Sequence, residues 1–261
     1  KMASKKVQAV SERIFLKGSA AVAEMVARIQ PEVVAAYPIT PQTGIIEYLA
    51  KLKLTGQANY SFLQAESEHS ALSMVLGAAA AGATSYTATS SQGLLHMAEI
   101  VYNLAGLHLP VVMTCANRSI SAPINIWNDH QDAMAVREAG WLMFFAENNQ
   151  EAIEQHWLAF KLSRQLNLPV MINVDGFRLT HASEPVVLPG SDLIKKTIKL
   201  PVNNLLNPIK PKTVGYFTMP ADYQNQRLAL RQEINKSLNV IKKDYEEVMK
   251  LWQPVKQKIN K

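Results

Sequence analysis

Between residues 33 and 175, short runs rich in β-branched and aromatic residues alternate with longer stretches of helical period. No other feature limits the fold as much. The runs VVAAY (33–37), YSFLQ (60–64), TSYTAT (84–89), PVVMTC (110–115) and PVMINVD (169–175) read as strands. Between them, TGIIEYLAKL (43–52), the stretch 68–81, GLLHMAEIVYNLAG (93–106) and NQEAIEQHWLAFKLSRQL (149–166) carry apolar residues at helical spacing. Such repetition predicts an α/β domain of three layers, a parallel sheet with helices on both faces, expected over residues 1–190.

In sheets of this kind ligands bind beyond the carboxyl ends of the strands, so chemistry is expected in the connections that follow them. Polar groups do collect there. After the first run comes 37-YPITPQTG-44, in which two prolines restrict the turn and Thr40 and Thr43 place hydroxyls near a helix start. After the second comes 65-AESEHSA-71, and after the third 90-SSQGLL-95, with Ser91 as a helix N-cap. The fourth run leads into 116-ANRSISAPINIWNDHQD-132, a connection without periodicity whose length is uncommon inside a compact domain unless it serves a site.

Each of these groups also has a structural reading. Thr40 can simply cap a helix. Glu66 fits a first-turn acid facing water, because helix N-termini favour negative charge. Glu68 begins the apolar face, beside Ala71 and Leu72, and reads as a partly buried carboxylate in need of a partner. Arg118 is open to an ordinary surface pairing with Asp129 or Asp132. Cys115 closes an apolar strand and reads as core. His69 and His130 have no metal-ligand spacing behind them. The small residues of 77-GAAAAG-82 let another backbone approach, which serves helix–sheet packing more often than a cofactor.

Composition removes several classes. Of 261 residues, 48% are hydrophobic and 18% charged, the balance of a globular chain. The longest apolar stretch, 71–83, is too short to span a bilayer, and KMASKKVQAV has no apolar core of the signal-peptide kind; a cytoplasmic protein without a membrane partner is expected. A lone cysteine forms no internal disulfide and cannot hold an iron–sulfur cluster, which takes about four thiolates. The net charge of +6 is uneven: residues 1–192 hold 13 Lys and Arg against 16 Asp and Glu, and residues 193–261 hold 14 against 5. Without interleaved aromatics and glycines, this basic tail reads as a solvated helical face rather than a nucleic-acid platform.

The tail, 191–261, divides into a proline-bearing arm to about residue 221 and a long helix from Asp222. Ile234, Leu238, Ile241, Tyr245, Val248 and Trp252 predict one apolar stripe, to be covered by the domain or by a partner chain.

YPITP, SEHSA leading into GAAAAGA, TATSSQGLLHMAE, NRSISAPINIWNDHQD, REAGW, AENNQEA and DGFRLTH, in that order over about residues 14–187, resemble the pyrimidine-binding domain of 2-oxoacid:ferredoxin oxidoreductases, in particular the alpha chain of the pyruvate enzymes. The loop from Asn117 to Asp132 is closer to the pyruvate and branched-chain members than to the 2-oxoglutarate members. The resemblance implies a thiamine diphosphate enzyme that decarboxylates a 2-oxo acid oxidatively, attaches the acyl unit to coenzyme A and passes electrons to ferredoxin. Glu68 matches the glutamate that hydrogen-bonds the aminopyrimidine ring and favours its imino tautomer, whose neighbouring nitrogen takes the thiazolium proton. Thr40, with Pro38 in the same YPIT turn, matches the family's cofactor and substrate contacts, and Arg118 matches the arginine that pairs with the substrate carboxylate, a task suited to a planar fork of donors.

The same resemblance implies a shared site. The Mg²⁺ and diphosphate motif of the family, a GDG followed by an asparagine, is not found; the Asp-Gly of 175-DGF-177 matches a different motif. Mg²⁺ and the diphosphate are therefore expected on a beta-type partner, and iron–sulfur clusters on partner chains that include gamma and ferredoxin-like delta subunits. Family alpha chains continue into a second α/β domain beyond a basic helix. A non-catalytic relative kept for assembly or regulation is the alternative reading.

Overall fold

A computed structural model of the chain describes residues 13–198, 206–215 and 217–257, with side chains as far as Lys250. Among these residues the order is β1 (Arg13–Lys17), α1 (Gly18–Ile29), β2 (Val33–Ala36), α2 (Thr43–Leu54), β3 (Ser61–Gln64), α3 (Glu68–Ala80), β4 (Ser85–Thr89), α4 (Ser91–His96), α5 (Ala98–Gly106), β5 (Val111–Asn117), α6 (Gln131–Ala135), a 3-10 turn (Arg137–Ala139), β6 (Leu142–Ala146), α7 (Asn149–Leu166), β7 (Val170–Asp175), α8 (Gly176–His181), β8 (Ser183–Val187), α9 (Ser191–Thr197) and α10 (Pro220–Gln257).

Six strands form an all-parallel sheet in the order β3-β2-β4-β5-β7-β6, and β1 pairs antiparallel with β8 in a sheet of two. Right-handed crossovers then fix the layers. The moves from β3 to β4 and from β4 to β5 run in one direction across the sheet, placing α3, α4 and α5 on one face. Those from β2 to β3 and from β6 to β7 run the other way, placing α2 and α7 on the opposite face, where α1 packs between them. Strands β4 and β5 are buried along their whole length, as befits the middle of a sheet covered on both sides.

All five predicted strands are present, with small shifts at their ends, and β5 runs two residues further than expected, to Asn117. The expected helix over 93–106 is two helices broken at Met97. Several elements carried no clear period. β1 has no fully buried residue, β6 is the short edge strand of the sheet, and α1 is built mostly of small residues. In 77-GAAAAG-82, Ala79 and Ala80 are buried, whereas Gly77 faces open space and Gly82 serves the turn at φ 93°.

The tail differs in detail from its expected form. Residues 191–197 are the helix α9, with Ile194 buried, and the described residues 206–215 of the arm carry no helix or strand. In α10 the face turned to the domain is Leu230, Ile234, Ser237, Ile241, Asp244 and Val248, which keeps Ile234, Ile241 and Val248 of the predicted stripe and has Ser237 and Asp244 where Leu238 and Tyr245 were expected. Asp244 belongs to it because Lys161 of α7 reaches Asp244 at 3.0 Å and Glu247 at 2.7 Å, and Ser237 because its hydroxyl is satisfied within the helix, donating to the Ile234 carbonyl at 2.6 Å. Leu238, 64% exposed, and Tyr245 face outward; Trp252 lies outside the described side chains. No helix among the described residues is long and apolar enough to cross a membrane.

Candidate active site

The chain leaves β2 toward β3 and leaves β4 in the opposite direction, toward β5, so a topological switch point lies between β2 and β4. Crevices of this kind are where α/β sheets bind ligands. Here the two strands pair only over Val33–Ser85 and Val34–Tyr86 and then part. Gln42, fully buried, fills the gap: its Nε2 donates to the Ala88 carbonyl at 2.7 Å while its Oε1 accepts from the Ile39 amide at 3.2 Å. The YPITP turn is thereby tied to the end of β4, with Pro38 and Thr40 exposed at its tip.

Glu68 enters from the neighbouring connection. Ser67 caps α3 by accepting from the Ser70 amide at 3.1 Å, which makes Glu68 the first helical residue. Its side chain is only 12% exposed, and Oε2 meets Nδ1 of His96 at 3.2 Å. Glu66 lies outside the cap, in water, where the Ser70 hydroxyl donates to it at 2.6 Å and holds its carboxyl below the usual range. The two acids are thus sharply different. Against Glu68 lies Gly93: a methyl group there would stand 2.6 Å from Thr89 Oγ1 and 2.9 Å from Glu68 Oε1. The Thr89 hydroxyl is itself buried without a partner, as are those of Thr87 and Ser90 at the same strand end.

Arg118 crosses the switch point. Its Nη1 donates to the Thr40 carbonyl at 2.5 Å and its Nη2 to Oε1 of Gln92 at 2.8 Å, so one side chain bridges the loop after β2 and the turn after β4. It is 9% exposed, its Nε is buried without a partner, and among the described residues its guanidinium bonds a carbonyl and an amide oxygen and no carboxylate. Burial pulls its pKa down, against the opposing fields of Asp132 and Glu68. The surface-pair alternative fails on geometry, since Asp132 is wholly buried and bonds the Arg118 backbone instead.

Asp132 organises this corner. One oxygen accepts from the amides of Ser91 at 2.9 Å and Arg118 at 3.1 Å; the other accepts from the Ala133 amide at 2.7 Å and from Asn117 Nδ2 at 2.9 Å. Ser91 is held at φ 46°, a left-handed conformation that a non-glycine residue keeps only when its surroundings impose it. The N-cap expected at Ser91 falls instead on Ser90, whose side chain makes no cap bond; the Ser91 hydroxyl donates to the Ser119 carbonyl at 2.6 Å. Cys115 is core, its thiol raised by burial.

The loop from Arg118 to His130 is long because it is folded onto α8. The amides of Phe177 and Arg178 donate to the carbonyls of Ile126 and Trp127 at 2.8 and 3.2 Å. Gly176 is required at that contact, since a Cβ would lie 2.4–3.0 Å from three backbone oxygens of Asn117, Ile126 and Trp127. That packing accounts for 175-DGF-177. His130 bonds Asp175 at 3.1 Å, and no group of His, Cys, Asp and Glu suited to a metal occurs among the described residues.

Thr40, Glu68 and Arg118 therefore converge on one crevice, with Pro38 at its rim. Gln42, Gln92, Gly93, His96 and Asp132 join them. Of these five only Asp132 stood out in the sequence, as a surface partner for Arg118 rather than a buried one; the others act through contacts between segments far apart in the chain.

The family described as "Pyruvate flavodoxin/ferredoxin oxidoreductase, thiamine diP-bdg" matches residues 24–250. The chain is 44% identical to pyruvate synthase subunit PorA of Thermotoga maritima over 255 residues, covering 94% of this chain and 65% of that one. It is 39% identical to ketoisovalerate oxidoreductase subunit VorA of Pyrococcus abyssi, covering 87% and 58%. Among solved structures, a 2-oxoglutarate:ferredoxin oxidoreductase from Magnetococcus marinus with 2-oxoglutarate, coenzyme A and succinyl-CoA bound superposes with a TM-score of 0.72 at 19% identity, over 87% of this chain and 45% of that one. The chain thus spans less than two thirds of the length of these proteins. With the family match running over most of its length, the chain belongs to the pyruvate flavodoxin/ferredoxin oxidoreductase family, in its thiamine diphosphate-binding part.

Proposed function

We propose that this chain is the alpha-type component of a 2-oxoacid:ferredoxin oxidoreductase of the cytoplasm, converting pyruvate and coenzyme A to acetyl-CoA and carbon dioxide with electrons passed to ferredoxin. The observation that carries the reading is Arg118, a buried cation without an anion, bridging two strand-end loops at the switch point with Glu68 close enough to act on its charge. A carboxylate placed there would find the positive charge it needs.

The donor set fits an aminopyrimidine. Glu68 is shielded at a helix entrance, Gly93 leaves a flat group room beside it, and the Thr89 hydroxyl is unpartnered. In this reading Glu68 holds or shares a proton at the pyrimidine ring nitrogen, exchanging its His96 contact for that bond. Pro38 and Thr40 shape the wall next to the ring, and Arg118 with Thr40 orients the 2-oxo acid. Thiamine diphosphate, when bound, supplies the carbanion chemistry; the protein supplies orientation and electrostatics. Mg²⁺ and the diphosphate are assigned to a beta-type partner, and the iron–sulfur clusters to the gamma and ferredoxin-like delta partners. Residues 1–190 form the pyrimidine-binding unit, and 191–261 an arm and helix that extend it.

A branched-chain 2-oxo acid such as 2-oxoisovalerate is the second reading, favoured by the similarity to VorA. Purifying the native assembly tests both: we expect partner chains, thiamine diphosphate, visible iron–sulfur absorbance and pyruvate-dependent ferredoxin reduction. An assembly without thiamine diphosphate would overturn the proposal, and a strong preference for 2-oxoisovalerate would select the second reading. The chain alone should bind thiamine diphosphate and Mg²⁺ far more weakly than micromolar, because half of the contacts must bear the full orientational cost of association.

A further inference from the structure

Gln92 holds a position that the reading above leaves unused. We propose that its side-chain amide is a further substrate contact, donating a hydrogen bond to the carboxylate of a small 2-oxo acid alongside Arg118. The inference rests on Arg118 being the receiver of that carboxylate.

The orientation of the amide follows from its neighbours. A guanidinium can only donate, so the atom 2.8 Å from Arg118 Nη2 is the amide oxygen; the Ser91 hydroxyl lies 2.5 Å from the same oxygen. Arg118 as an obligate donor on Oε1, with the Ser91 oxygen packed against the same atom, fixes the amide so that Nε2 is turned away from Arg118. That nitrogen has no partner among the described residues and is not among the buried unpartnered atoms, so its two N–H groups are open to solvent, and to a ligand that reaches the Arg118 guanidinium beside them. The base of the side chain is equally fixed, because Ser91 before it is locked at φ 46° by Asp132 and Gly93 after it is wedged against Glu68.

The chemistry selects the ligand. Arg118 Nε is buried, and each Nη already has one bond inside the protein, which leaves one N–H on each for a ligand. A carboxylate offers about four lone-pair sites, more than these two donors fill. Gln92 Nε2 adds donors at the same edge, on the β4 side of the crevice, and contributes no charge of its own. A carboxylate accepts from both; an ester or amide in its place loses the charge-assisted part of the contact.

The test uses the purified assembly carrying this chain, with Gln92→Met, Gln92→Glu and Arg118→Lys assayed for the KM of pyruvate, the KM of coenzyme A and kcat. For Gln92→Met we expect the pyruvate KM to rise about tenfold or more, the loss of a hydrogen bond to a charged group, with kcat and the coenzyme A KM near wild type. Gln92→Glu keeps the shape and the acceptor oxygen, so it guards against a folding failure; it replaces the donor with a negative charge, and its pyruvate KM should rise further. An unchanged pyruvate KM in both Gln92 variants, with Arg118→Lys raising it, would overturn this inference alone. A joint fall of kcat and rise of both KM values would mark Gln92 as merely structural and overturn it as well. An unchanged KM in Arg118→Lys would overturn the underlying reading and this inference with it.

Discussion

Arg118 and Lys161 are both nearly buried cations in the same domain, and their surroundings are opposite. Lys161, on α7, is met by Asp244 at 3.0 Å and Glu247 at 2.7 Å from α10. Burial pulls its pKa down, but the two acids outweigh burial and leave it raised. Arg118 bonds a carbonyl and an amide oxygen, keeps an unpartnered Nε, and has its pKa lowered by burial despite the fields of Asp132 and Glu68. Folding alone would not favour the second arrangement, since a buried charge without a counterion is costly. Where the chain only has to hold a helix in place, it neutralises its cation; at the switch point it leaves one for something else to neutralise.

Removing one member at each place should break this contrast in different ways. The largest effect on stability is expected for Lys161→Met, which leaves Asp244 buried without its cation and should cost about 3–5 kcal/mol in denaturant unfolding. Pyruvate KM in the assembled enzyme should stay unchanged, and adding Asp244→Leu should recover most of the loss. The sign with pH follows from the raised pKa. The Lys161 contribution is complete below the ordinary lysine range and is lost as pH rises through the raised value. Arg118→Lys should do the reverse: little change in unfolding, and a pyruvate KM raised by the equivalent of about 1–3 kcal/mol, because an ammonium cannot reproduce the two-sided fork. If Arg118→Lys destabilised the fold as strongly as Lys161→Met, the distinction between the two cations would collapse. The smallest effect belongs to Leu238→Ser, on the outward side of α10, within about 0.5 kcal/mol. A larger loss there would mean that the predicted stripe, rather than the observed one, faces the domain.

The layers of the fold were legible because the residue types survive burial: β4 and β5 are short runs rich in β-branched and aromatic or apolar residues, and α2, α3 and α7 keep their helical spacing. β6 and β1 were hidden because LMFFA and RIFLK hold few or no β-branched residues to mark them as strands. The α10 stripe was right at Ile234, Ile241 and Val248 and wrong at Leu238 and Tyr245, because a pattern of apolar residues cannot show that Asp244 turns inward to meet Lys161. At the site, Thr40, Glu68 and Arg118 were readable from strand-end position and motif. The buried roles of Asp132 and Gln42 were not, since the bonds that tie the site together reach backbone groups at Arg118, 14 residues from Asp132, and Ala88, 46 residues from Gln42. His96, 28 residues from Glu68, meets it only through the break at Met97 and the close approach at Gly93.

The central claim is that one of two glutamates, two residues apart, serves the cofactor while the other stands in water outside the helix cap and holds only the Ser70 hydroxyl. Turnover of the purified assembly with Glu68→Gln and with Glu66→Gln tests it directly. Both changes conserve volume, and both should leave assembly and unfolding near wild type. The account predicts a fall in kcat of roughly 100-fold or more for Glu68→Gln, the scale of a lost proton-transfer contact, and a change of less than about twofold for Glu66→Gln, an exposed surface substitution. Near-normal turnover in Glu68→Gln, or a comparable loss in the two variants, would contradict it.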